Sequence, residues 1–165
     1  MIRKCFVLMP FKEPFNSYYE QILVPAIKEA GFEAIRADEI YSTRPVIEDI
    51  RKEIRESAAL VADVTGKNPN VNYELGIAHT LERPVVIISQ SIDDIPSDYR
   101  HYRVITYGTS ELSTLGNKIT NTLQNIEERK PPIHLPSEQT SPAWGFLLPI
   151  KLLPNTADTL MSRAW

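Results

Sequence analysis

Short apolar runs alternate with amphipathic stretches from residue 5 to about residue 128, and their two periods predict strands and helices in turn. Residues 5–9 are continuously apolar and β-prone, the pattern of a central parallel strand buried on both faces. From Tyr19 onward Ile22, Leu23, Ala26, Ile27 and Ala30 recur at helical spacing, and Gly31 closes the segment. Pro25 lies inside that helix and is expected to kink or restart it. Residues 32–38 alternate and read as a strand nearer an edge. Ser42, Thr43 and Pro45 suit a helix opening, and Ile47, Ile50, Ile54 and Ala58 give the helix its buried stripe. Leu60 to Ala62 is a third strand ending in Asp63, residues 84–89 a fourth and residues 103–107 a fifth. Residues 91–102 between the last two are polar and turn-rich. A last helix over residues 111–128 carries Leu112, Leu115, Ile119, Leu123 and Ile126. Such alternation implies an α/β protein built on an open, mostly parallel sheet with right-handed crossovers.

The most informative stretch is residues 60–81, where a strand ends at an acid, a turn rich in Gly, Asn and Pro follows, and a helical pattern resumes around Tyr73 and Glu74. Ligands of open α/β sheets settle outside the carboxyl ends of the strands, where helix N-termini present unpaired N–H groups. An acid in a first helical turn is ordinarily there for the macrodipole, which stabilises it by about 0.3–1 kcal/mol. A capping box would require Ser or Thr at position 71, which is Val; with Asn70 or Asn72 as N-cap, Glu74 falls at the wrong offset. On the wheel Glu74 shares its stripe with Ala78 and Leu81, so it is expected to lean along the protein wall, with Gly76 leaving room for an approaching group.

The segment from Val64 to Ala78, containing Asn72-Tyr73-Glu74-Leu75-Gly76, resembles the signature of the nucleoside 2-deoxyribosyltransferase superfamily, including its 2'-deoxynucleoside 5'-monophosphate N-glycosidase branch. The resemblance implies that Glu74 attacks the anomeric carbon of a sugar, and that an Asp on the preceding helix, here Asp49, orients the sugar or handles the proton at the base. An ungapped count back lands on Ile50, one place from Asp49. Where the N-glycosidases place a phosphate-contacting Ser six residues before the nucleophile, this chain has Asn68; where they can present a Tyr on the first strand, it has Phe6. The likeness extends in layout over residues 4–107 and supports a three-layer, flavodoxin-like (Rossmann-like) five-stranded sheet ordered 2-1-3-4-5. That order sets the loop after Met9 beside the loop after Asp63. Pro10 and Phe11 are then candidates for a sugar or base wall, Arg44 for a phosphate, and Gly66, Asn68, Asn70, Asn72 and Tyr73 for the remaining substrate contacts. Asp63 is expected to brace its own loop through backbone N–H groups.

Composition narrows the picture. The chain has 165 residues, 42% of them apolar and 24% charged, as expected of one globular domain. With a net charge of −3 it has no basic surplus for polymeric nucleic acid, although single nucleotides remain fitting ligands. The single cysteine, Cys5, sits in an apolar run and reads as a reduced core residue. His79 has no ligand at metal spacing, so no metal and no cofactor is expected. The dinucleotide fingerprint and the Walker loop are both absent, which argues against an ordinary dehydrogenase or kinase. No signal peptide or membrane-length run is visible, and a cytoplasmic location is expected.

Residues 1–130 thus form the α/β domain, and residues 131–165 a Pro-rich extension. Trp144, Phe146, Leu147 and Leu148 make this extension too apolar for a solvated tail, which suggests docking on its own domain or on a second subunit of a homo-oligomer. The functional expectation is cleavage of an N-glycosidic bond in a nucleoside, nucleotide or related metabolite, hydrolysis before base transfer. Two alternatives stay open: a TIR-like nucleotide or NAD sensor or hydrolase, and a non-catalytic interaction subunit.

Overall fold

The computed structural model describes residues 3–40 and 46–126. Arg44, the helix-opening residues Ser42, Thr43 and Pro45, and the 131–165 extension lie outside the described residues. Five parallel strands, β1 (Arg3–Leu8), β2 (Phe32–Arg36), β3 (Ala59–Asp63), β4 (Val85–Ser89) and β5 (Val104–Thr106), form one sheet in the order β2-β1-β3-β4-β5. Between them run α1 (Phe15–Tyr18), α2 (Val24–Glu29), α3 (Val46–Glu56) and α4 (Pro69–Thr80), and α5 (Leu112–Gln124) follows β5. The expected flavodoxin-like order is the observed one, with β2 at an edge.

Alternation along β1 divides the interior in two. Cys5, Val7 and Met9 pack with Leu23, Ile27, Leu115 and Ile119 on one face, whereas Phe6 and Leu8 pack with Ile54, Val71, Leu75 and Ala78 on the other. Side chains of a strand point alternately to opposite faces, so a run apolar at every position needs helices on both sides. Phe6 is fully buried in the second of these clusters and Cys5 in the first.

Several boundaries differ from the sequence pattern, each for a local reason. The first helical segment begins at Phe15, and a π-helical stretch, Tyr19–Leu23, links α1 to α2. Pro25 lacks an N–H and its ring crowds the carbonyl four residues back, so the turn ahead of it widens and the helix restarts. Strand β2 stops at Arg36 because its backbone N–H turns to the Glu39 carboxylate, 3.0 Å away, and Ala37–Glu39 becomes a 3-10 turn. Helix α4 starts at Pro69, a full turn before Tyr73 and Glu74. Its N-cap is Asn68, not Asn70 or Asn72: the Asn68 side-chain oxygen accepts from the N–H groups of Asn70 (2.9 Å) and Val71 (3.3 Å). Pro69, at the first helical position, has its φ already set for the helix.

Candidate functional site

The early start of α4 changes what Glu74 is for. Glu74 sits in the second turn, and no acid occupies the first turn of this helix. A macrodipole contribution fades beyond the first turn, so helix electrostatics do not account for an acid here. The carboxylate is half-buried beside Val71, Leu75 and Ala78, all of them core residues. It makes no hydrogen bond or ion pair among the described residues, and desolvation alone pushes its pKa up to about 7.

Glu74 lines a cavity of about 560 Å³ between the loop after β1, the start of α3 and the first turns of α4. Met9, Pro10, Phe11 and Lys12 form one wall, Val46, Ile47 and Ile50 a second, and Asn68, Asn70, Val71 and Tyr73 the third. Glu74 is the only carboxylate and Lys12 the only cation among these lining residues. Phe11, Val46 and Tyr73 are all more than half exposed and leave the mouth apolar. A second hollow of about 460 Å³ adjoins it, sharing Pro10, Lys12 and Asn68 and adding Phe15, Thr65, Gly66 and Pro69. The β1 and β3 loops therefore meet where the sheet order reverses.

Buried polar bonds fix the β3–α4 loop. Oδ1 of Asp63 accepts from the Thr65 N–H at 3.0 Å and from its hydroxyl at 2.5 Å, and Oδ2 accepts from the Tyr107 hydroxyl at 2.5 Å. The Thr65 hydroxyl also accepts from the Gln90 N–H at 3.0 Å. Asp63 is 1% exposed and supports the loop from beneath. Gly66, at φ 73°, occupies the left-handed region where a side chain would be strained, and its N–H donates to Asp94 Oδ2 at 2.8 Å. Lys67 N–H returns to the Val64 carbonyl, and Asn72 N–H to the Asn68 carbonyl. The amides of this loop are thus largely committed, and a ligand phosphate would have to displace the Asp94 carboxylate from Gly66.

Phe11 has a support that the chain pattern conceals. The Arg36 guanidinium lies 5.4 Å from the Phe11 ring and 4.3 Å from the Tyr19 ring, held by two bonds to Asp38 at 2.7 and 2.6 Å. Arg36 is 6% exposed. A buried, forked arginine of this kind fixes ring orientation at the cavity wall.

Of the sequence candidates, Pro10, Phe11, Asn68, Asn70, Tyr73 and Glu74 line the one cavity, and Gly66 lines the adjoining hollow. Asn72 faces away, into a groove between α3 and α4 lined by Arg51 and Arg55. Asp49 is on α3 but not among the cavity-lining residues, where Ile50, the ungapped match, stands instead. Arg100, His101 and Arg103 are exposed and line none of these spaces. Lys12, Arg36, Asp94 and Tyr107 escaped the sequence reading as site-supporting residues: Arg36, Asp94 and Tyr107 act through contacts between residues far apart in the chain, and Lys12 is a loop cation with no spacing signal. No group of three or more His, Cys, Asp or Glu side chains among the described residues could hold a metal ion. Nor is any described helix long and apolar enough to cross a membrane.

Comparison with solved structures finds the same architecture elsewhere. A 2-desoxiribosyltransferase from Leishmania mexicana superposes with a TM-score of 0.54 at 11% identity, covering 68% of this chain and 95% of that one. A 2-deoxyribosyltransferase from Bacillus psychrosaccharolyticus gives 0.53 at 13% identity, covering 79% and 99%. The TIR domain of the Toll-related receptor TRR-2 from Hydra magnipapillata gives 0.58 at 13% identity, covering 73% and 98%. The fold is the one these deoxyribosyltransferases and this TIR domain share. At such identities the likeness is one of architecture. No protein-family model and no curated protein matches the chain.

Proposed function

We propose that the protein cleaves the N-glycosidic bond of a nucleoside, nucleotide or related small metabolite, with Glu74 as nucleophile. The observation that supports this most is a desolvated, unpaired carboxylate as the only acid among the described residues lining a cavity at the switch point of the sheet. Positive charge builds on the sugar as the C1'–N bond lengthens, and a carboxylate stripped of water stabilises it more strongly than a solvated one. A Glu74 Oε forms the bond to C1' while the base leaves with the C–N electron pair and takes up a proton from solvent. Water then attacks C1', its proton is lost to solvent, and the carboxylate is regenerated. Hydrolysis is favoured over transfer because the mouth between Phe11, Val46 and Tyr73 is open to water. Asp49, the residue that the resemblance assigns to the proton or the sugar, does not line the cavity and takes no step in this scheme. Incubation with ribo- and deoxynucleosides, their monophosphates and NAD, with chromatography for free base, tests the reading.

A second reading keeps the pocket and drops the turnover. The likeness to a TIR domain and the lack of a second carboxylate among the described residues of the cavity wall both fit a nucleotide- or NAD-binding sensor. Ligand-dependent thermal stabilisation without product would favour it.

A further inference from the structure

The groove on the far side of Tyr73 has the chemistry that the β3–α4 loop lacks. It lies between α3 and α4, has a volume of about 530 Å³, and is floored by Gly76, Ile77 and Leu81. Arg51 and Arg55 stand one turn apart on α3 along its side, both exposed. Like charges at this spacing repel one another on a helix. Neither guanidinium has a carboxylate partner among the described residues; the one bond from the pair goes from Arg51 to the Tyr73 hydroxyl at 2.9 Å. Asn72, also on the groove wall, has its side-chain oxygen buried with no hydrogen-bond partner. Two guanidinium forks with no carboxylate partner among the described residues and an unsatisfied acceptor beside an apolar floor are the complement of an anion that also carries a donor.

Tyr73 lines both this groove and the Glu74 cavity, and adjoins Glu74 in the chain. We propose that the substrate is a nucleotide whose phosphate docks between Arg51 and Arg55, across Tyr73 from the sugar carbon presented to Glu74. This deepens the N-glycosidic reading and rests on it for the position of the sugar. The alternative cation, Lys12, stands on the β1-loop wall. The Gly66 amide is occupied by Asp94, so the loop offers the phosphate less than the arginine pair does.

The test is a binding ratio measured calorimetrically in the Glu74→Gln background, where turnover does not interfere. The probes are common ribo- and deoxynucleosides and their 5'-monophosphates. With the arginines present, at least one monophosphate is expected to bind roughly tenfold or more tightly than its nucleoside. The double change Arg51→Gln/Arg55→Gln is expected to abolish that preference. Preference retained by the double variant, preference lost with Lys12→Gln instead, or no monophosphate bound by the protein with both arginines would each overturn the proposal. Base release by the unsubstituted protein is read in parallel. Loss of preference without base release from any probe would keep the phosphate site and remove the N-glycosidic reading; base release with an unchanged ratio would do the opposite.

Discussion

The Tyr107 hydroxyl, just past the edge strand β5, donates to Asp63 Oδ2 at the end of β3, reaching past β4 to do so at 2.5 Å. The bond holds down the acid whose other oxygen secures Thr65, and through it the loop that leads into α4. Burial pushes the Asp63 pKa up, while the bonds from Thr65 and Tyr107 pull it down. Tyr107→Phe removes one of these and leaves a buried carboxylate oxygen unpartnered, at an expected cost of about 1–3 kcal/mol. Because the charged form of Asp63 is the one that needs this bond, the cost should shrink as pH is lowered through the titration of Asp63. Urea denaturation across an acid pH series checks this; a cost that stays constant down to the most acid pH at which the protein remains folded would place the effect in ring packing.

Asn68 is expected to act first as a cap. Asn68→Ala should lower stability by about 0.5–2 kcal/mol, whereas Asn68→Asp or Asn68→Ser, which keep an acceptor for the Asn70 and Val71 amides, should lose much less. Denaturation midpoints give the stability. If the Ser and Asp variants keep the fold but lose nucleotide affinity, the Asn68 amide N–H₂, left free by the cap, also touches ligand.

Glu74 should make the protein less stable where it is charged. Its folded pKa of about 7 lies above the ordinary 4.5, so the native state holds the proton more tightly than the unfolded chain. Stability is then lost as pH rises from about 4.5 through about 7, and stays lower above that. Glu74→Gln removes the titration, and should stabilise the protein at pH 8 by roughly 1 kcal/mol after allowance for solvent screening, with little change at pH 5. Melting temperatures at the two pH values measure it. The same ionisation sets the direction for activity: a nucleophile must be deprotonated, so kcat/KM is expected to rise with pH to a half-maximum near 7.

Cys5 should be chemically silent. It is fully buried in β1, in the cluster with Ile27, Leu115 and Ile119, and burial pushes the thiol up to about 12, leaving almost no thiolate at neutral pH. Thiol reagents should label it only in denaturant; fast labelling of the native protein would show that β1 opens.

Much of the fold was legible because the information is local. The unbroken apolar residues of β1, the alternation in β2 and the closing Gly31 each carry their own reason, and a parallel sheet with crossovers leaves few topologies for them. The Glu74 site was legible only in part. Its position on α4 and the meeting of the β1 and β3 loops follow from spacing and strand order, but the start of α4 was misjudged because three Asn residues, at positions 68, 70 and 72, all suit a cap. Nothing in the chain marks that Asp94 takes the Gly66 amide or that Arg36 stacks on Phe11; both contacts join residues more than twenty positions apart. The one-residue ambiguity at Asp49 likewise needed coordinates, since neighbouring residues on a helix point about 100° apart and only Ile50 reaches the cavity.

The most direct measurement is the initial rate of free-base release, across nucleosides and their monophosphates, by the protein and by its Glu74→Gln variant at equal concentration and pH 8. With Glu74 as nucleophile, at least one substrate releases base and the variant is slower by roughly a thousandfold or more while remaining folded. Base release at an unchanged rate in the variant would contradict the assignment.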